Sequence, residues 1–136
     1  MIRVVIDTNV LIRYLIRPSV AIRELIEVQW IGGAIQMVTA PELIAELREV
    51  LSRAKIRRFI TPDEGDALLH AIQQLAELLP ALGDVPAYTR DPKDDKFVAC
   101  ALFGQVDYLI SVDNDLLVLQ RVGTSDIVTP AAFLAT

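Results

Sequence analysis

The sequence predicts an α/β fold: one three-layer α/β/α domain over residues 1–136, with a central parallel sheet between helices. Three observations carry this. Short β-branched runs alternate with longer segments of helical periodicity. Most of the predicted helices open on a capping residue or a proline. No repeat, low-complexity stretch or linker interrupts the alternation, and 136 residues suit a single domain with its own core.

The elements follow in order. Arg3-Val4-Val5-Ile6 is the first strand, and a short helix spans Asn9–Leu15. Ser19 caps a helix running to Trp30, closed by Gly32-Gly33. Ile35–Thr39 is the second strand, and Pro41 opens a helix to about Ala54. Thr61-Pro62-Asp63-Glu64 is a capping box starting a helix that runs to Leu79 and stops at Pro80. A loop with Pro80, Gly83 and Pro86 covers 80–90. Asp91 caps the next helix, which reaches about Phe103. Tyr108–Val112 is the third strand, Leu116–Gln120 a short helix, Ile127–Thr129 a strand, and Pro130 opens a last small helix.

Composition narrows the chemistry. Hydrophobic residues make up 53% and charged residues 23%, as in a globular protein, and no apolar run is long enough to span a membrane. The chain opens directly on a strand, so no signal peptide and a cytoplasmic location are expected. Its one cysteine, Cys100, and one histidine, His70, exclude a disulfide framework and a Cys/His zinc site. His70 reads as a helix-surface or core-edge residue, and Cys100 as a small buried hydrophobe. The net charge of -5 argues against holding nucleic acid by a general positive field. It leaves room for an enzyme that gathers acids around a cation.

The acids are placed suggestively. Asp7 ends the first strand and Asp113 the third, and ligands of an open parallel sheet bind beyond the carboxyl ends of its strands. In the helix from Pro41 the apolar stripe is Leu43, Ile44, Leu47, Val50 and Leu51. Glu46 lies roughly 100° from its centre, at the border of core and water, whereas Glu42 and Glu49 fall nearly opposite. In the helix from Asp91, Asp95 lies about 90° from the centre of the Phe97, Val98, Ala101, Leu102 stripe. Capping and dipole compensation account for Asp91 and Asp94, and less completely for Asp95. Asp115 suits a turn or a supporting position beside Asp113. Carboxylates brought together repel unless some protonate or a cation lies between them. Oxygen ligands without His or Cys select Mg²⁺ or Mn²⁺, and Mg²⁺ leaves room for substrate phosphates.

Four segments taken together resemble the PIN-domain nucleases: Val5-Ile6-Asp7-Thr8-Asn9-Val10-Leu11, Ala40-Pro41-Glu42-Leu43 with Ala45-Glu46-Leu47, Asp91-Pro92-Lys93-Asp94-Asp95-Lys96-Phe97, and Asp107–Leu117. The resemblance extends to Thr129-Pro130-Ala131-Ala132-Phe133. Each motif alone is weak; the four in this order are specific. The closest likeness is to the bacterial and archaeal toxin components of toxin-antitoxin pairs, of the VapC type. The resemblance implies a PIN-like fold and a metal-dependent ribonuclease that hydrolyses RNA phosphodiesters without a side-chain nucleophile. It maps the family's acidic tetrad onto Asp7, Glu46, Asp95 and Asp113, holding one or two Mg²⁺ or Mn²⁺ ions. It implies supporting roles for Asn9, which would orient Asp7, and for Ser111, with Asp91, Asp94 and Asp115 as neighbours able to exchange with the assigned acids.

Arg48, Arg53, Lys55, Arg57 and Arg58 form the densest basic segment, which suits either an RNA backbone or a helix end. The resemblance also implies a cognate antitoxin and a homodimer. Trp30, Leu75 and Leu79 are the apolar side chains expected at such an interface. Two other readings compete. A haloacid-dehalogenase-like phosphatase also begins with an Asp closing a strand, but wants a second Asp where Asn9 stands. A catalytically inactive PIN-fold interaction module would not need four acids.

Overall fold

A computed structural model describes all 136 residues, Met1–Thr136. Six strands form one sheet: β1 (Ile2–Ile6), β2 (Ile35–Thr39), β3 (Glu77–Leu78), β4 (Tyr108–Ile110), β5 (Arg121–Val122) and β6 (Ser125–Val128), in the order β3-β2-β1-β4-β6-β5. Every neighbouring pair is parallel except β5 with β6. Eight helices surround it: α1 (Thr8–Ile16), α2 (Val20–Arg23), α3 (Pro41–Ser52), α4 (Ala54–Arg57), α5 (Pro62–Leu75), α6 (Asp95–Gly104), α7 (Asn114–Leu117) and α8 (Pro130–Leu134). No helix is long and apolar enough to cross a membrane.

Strand alternation divides the core in two. Val4 and Ile6 join an 18-residue cluster with Val10 of α1, Leu68 of α5 and Phe133 of α8. Val5, one residue out of phase, joins a 14-residue cluster with Phe97 of α6 and Leu116 of α7. On β4, Ile110 belongs to the first cluster and Leu109 to the second. A parallel sheet buried on both faces needs such continuous apolar strands. Helix α3 straddles the layers, with Leu47 in the first cluster and Leu43 in the second.

The sequence-based expectations depart from the structure in several places. The helix from Thr61 ends at Leu75 rather than Leu79, because Glu77–Leu78 peels away to pair with Val38–Thr39 as the edge strand β3. The two-residue strand β5 is too short to leave a pattern and forms as the return of a hairpin onto β6. The helix from Ser19 changes winding at Glu24 and continues as a π-helix to Trp30. Trp30, four residues after the buried Ile26, is 2% exposed and not part of an apolar surface. Leu79 is half-buried against the second cluster, and Leu75 is exposed as expected.

Leu109 is fully buried at the centre of the sheet. Leu109→Ala is expected to lower stability by about 2–5 kcal/mol, read as a lower urea midpoint with an unchanged denaturant slope.

Candidate functional site

The register of β1 against β4 creates the site. Ile6 pairs with Ile110, so the residues that follow, Asp7 and Ser111, emerge side by side at the carboxyl edge. Asp7 N–H donates to the Ile110 carbonyl at 2.9 Å, and Ser111 N–H to the Val128 carbonyl at 2.9 Å. The Ser111 hydroxyl then donates to Asp7 Oδ2 at 2.8 Å and accepts from Asp113 N–H at 2.9 Å. One buried hydroxyl thus fixes both strand-end acids. Each acid also caps the helix after it. Asp7 Oδ1 accepts from Asn9 N–H at 3.2 Å, and Asp113 Oδ1 from Asp115 N–H at 2.9 Å. Asn9 contacts Asp7 through this amide rather than through its side chain.

Asp7, Glu46, Asp94 and Asp113 line a single cleft of about 210 Å³, with Thr8, Asn9, Asp91 and the cationic Arg53 and Lys93 among the other lining residues. Glu46 reaches it from α3, as its place at the margin of the apolar stripe suggests. Its Oε2 accepts from the Thr8 hydroxyl at 2.7 Å and its Oε1 pairs with Lys96 Nζ at 2.9 Å. Asp91 caps the 3₁₀ turn Pro92–Asp94 through Lys93 N–H. Asp115 pairs with Arg90 at 2.8 Å. Asp91, Asp94 and Asp115 each bring a carboxylate oxygen within 4.8 Å of the others.

Asp95 is not in this cleft, and this corrects its expected position. Its Oδ1 accepts from Tyr88 N–H at 2.9 Å, from Thr89 N–H at 2.8 Å and from the Thr89 hydroxyl at 3.0 Å. The carboxylate anchors the end of the 80–90 loop. Asp94 faces the cleft in its place, because the 3₁₀ turn rotates these neighbours onto different sides. Glu42, expected on the solvated face of α3, anchors the same loop near its start, where its Oε2 accepts from Leu82 N–H at 2.8 Å. Neither anchoring role is visible in the helical pattern, since a loop with no periodicity gives no sign of which acid it will meet.

The electrostatics separate the two adjacent acids. Burial raises the Asp95 carboxyl, but the bonds from Tyr88 and Thr89 outweigh it and leave it below its ordinary value. Burial pushes Asp94 up to about 7, reinforced by a hydrogen bond shared with Asp113 and by the charges of Asp113, Asp7 and Asp91. Burial also pushes Asp7 up to about 6, against the lowering bonds from Ser111 and Asn9, with Glu46 and Asp113 adding to the rise. Asp94 Oδ2 is buried and has no hydrogen-bond partner. An unpartnered carboxylate oxygen among other acids is costly unless a proton or cation meets it. The donor set is all oxygen, which suits a hard divalent ion.

The PIN domain model matches residues 3–115 of the chain. The structure of the PIN domain of human SMG5 has the same fold, with a TM-score of 0.52 at 14% identity, covering 98% of this chain and 96% of that one. Among curated proteins none matches.

Two outcomes test this geometry. Without a divalent ion, Asp7 and Asp94 hold their protons more tightly folded than unfolded. Their stabilising contribution is fully present below the ordinary value of 3.8 and is lost as pH rises through about 6 and about 7. Thermal unfolding in EDTA should therefore show Tm falling from pH 5 to pH 8, and Asp94→Asn should flatten that fall. Ser111→Ala should cost about 1–3 kcal/mol in urea unfolding, because it strips a partner from the buried Asp7 carboxylate and from the half-buried Asp113 amide.

Proposed function

The chain belongs to the PIN-domain family, and on that basis we propose that it is a Mg²⁺- or Mn²⁺-dependent endoribonuclease. The observation that carries this is the unpartnered, buried Oδ2 of Asp94 in a cleft it shares with Asp7, Glu46 and Asp113. Asp7, Asp94 and Asp113 would hold the ion directly. Glu46 completes the set, although its oxygens are already engaged by Thr8 and Lys96. When bound, a divalent ion lowers the pKa of water and stabilises the charge of the departing oxygen.

The chain's own groups prepare the rest. Ser111 and the Asn9 amide hold Asp7 in one orientation, so no side-chain freedom is lost on binding. Lys96 offsets the charge of Glu46 and limits repulsion among the acids. Arg53 and Lys93 at the cleft put positive charge where a phosphodiester would approach. The one hydroxyl side chain lining the cleft, Thr8, donates its proton to Glu46.

The same reading includes a toxin role with a cognate antitoxin, homodimerisation and a cytoplasmic location. The likeness of the four motifs to the VapC type supports these. A small overlapping frame beside the gene, whose product suppresses RNA cleavage, is the finding that would establish the pair.

Three variants test the centre. Asp7→Asn and Asp94→Asn should each lower Mg²⁺- or Mn²⁺-dependent cleavage of single-stranded RNA by at least about 100-fold while the far-UV spectrum stays native. Asp95→Asn should keep metal binding by calorimetry and lose stability instead. Full cleavage by folded Asp7→Asn would refute the assignment. Loss of metal binding in Asp95→Asn with retention in Asp94→Asn would exchange the two acids.

A further inference from the structure

We propose that the basic segment from Arg48 to Arg58, with Phe59, is the track along which single-stranded RNA leaves the acidic cleft. The proposal rests on the nuclease reading above and names the surface that engages the substrate beyond the scissile bond. The segment carries five cations against Glu49 alone, a charge of +4, in a chain whose total is -5, so the other residues sum to -9. A polyanion is repelled by most of this surface and attracted here.

Ion pairing within the chain does not account for these cations. Helix α3 ends at Ser52, and Arg53 alone stands at its end, paired with Glu49 at 2.6 Å. Lys55, Arg57 and Arg58 lie on or after the separate single turn α4. Like Arg48, they are exposed and form no ion pair. Unpaired arginines cost side-chain freedom to order, and phosphate oxygens are ligands they hold well.

The segment meets the cleft round the end of α3. Val50 and Arg53 line the acidic cleft, while Arg48, Leu51 and Ser52, on the opposite face of the same helix, line a second groove of about 280 Å³, and Arg53 stands where the helix ends between the two. Arg57 joins that groove from α4, and Asp66 is its only carboxylate. A strand seated among the acids meets Arg53 at the rim and, on rounding the end of α3, the arginines beyond it. Phe59 is 62% exposed and follows Arg58 directly, which gives an unpaired base a face to stack on. Three of the groove's ten lining residues are hydrophobic, which favours a phosphate backbone over an apolar protein segment.

The test uses Arg57→Glu/Arg58→Glu, two exposed positions outside the acidic cleft. Binding of a labelled single-stranded RNA is followed by anisotropy in an Asp7→Asn background with Mg²⁺, so that the RNA survives. The pair should weaken binding at least tenfold and reduce the salt slope by about 1.4, the value for two lost phosphate contacts. In the otherwise unaltered enzyme it should lower cleavage of long RNA about tenfold and leave hydrolysis of bis(p-nitrophenyl) phosphate, too small to reach the segment, unchanged. Phe59→Ala should weaken RNA binding without changing the salt slope. RNA binding equal to that of the parent overturns the proposal, as does an equal loss on both substrates. Retained RNA binding with lost binding to polyglutamate assigns the surface to an acidic protein and also overturns it. If the wild-type chain cleaves neither substrate, the nuclease reading fails, while the loss of RNA binding still reports on the track.

Discussion

The rest of the site depends on the register of β1 against β4. Pairing Ile6 with Ile110 places Asp7 beside Ser111, whose hydroxyl donates to Asp7 and accepts from the Asp113 amide. A slip of one residue would turn Val4 and Ile6 toward the wrong layer. Register is therefore enforced by two apolar clusters far larger than the site. The energy that aligns the acids comes from the core, and the Asp7–Ser111 bond only completes it.

That alignment gathers more negative charge than its surroundings neutralise. Lys96 answers Glu46, and the Ser111 hydroxyl and two backbone amides answer Asp7 and Asp113, but Asp94 keeps one oxygen without a partner. A core selected for stability alone would replace such an arrangement with apolar side chains. Retaining it fits a centre completed by something outside the chain. The PIN-domain family to which the chain belongs gives that arrangement a context, and the six-stranded, mostly parallel sheet supplies its frame.

Much of this is legible in the residues. Asp7 and Asp113 end β-branched runs, and a parallel sheet brings such ends to one edge. Glu46 is distinguishable from Glu42 and Glu49 as cleft-facing because a helix of regular winding preserves its angles over twelve residues. The same geometry favours Asp95 over Asp94, and fails because the helix has not yet begun. Asp94 sits in a 3₁₀ turn, where each residue advances about 120° rather than 100°. Glu42 misleads in the opposite way, since its angle is right but a loop arrives to cover it. Trp30 is legible as core, since it stands at the i+8 position of the Ile22, Leu25, Ile26 stripe, whereas the π-helical winding that carries it leaves no pattern. Pattern and structure part company where winding changes or where distant, aperiodic chain packs back.

The junction at Asp94 and Asp95 also bears on how such chains can diverge. Between Pro80 and Arg90 the backbone runs free of regular structure, pinned at Leu82 and at Tyr88–Thr89, so a gained or lost residue between those pins disturbs little beyond the packing of Val85. Between Pro92 and Asp95 there is no slack. An insertion or deletion there would swing the cleft-facing carboxylate away and deliver its neighbour, and both would still be aspartates. Two related sequences could then align without a gap across this dyad and yet use opposite members of it.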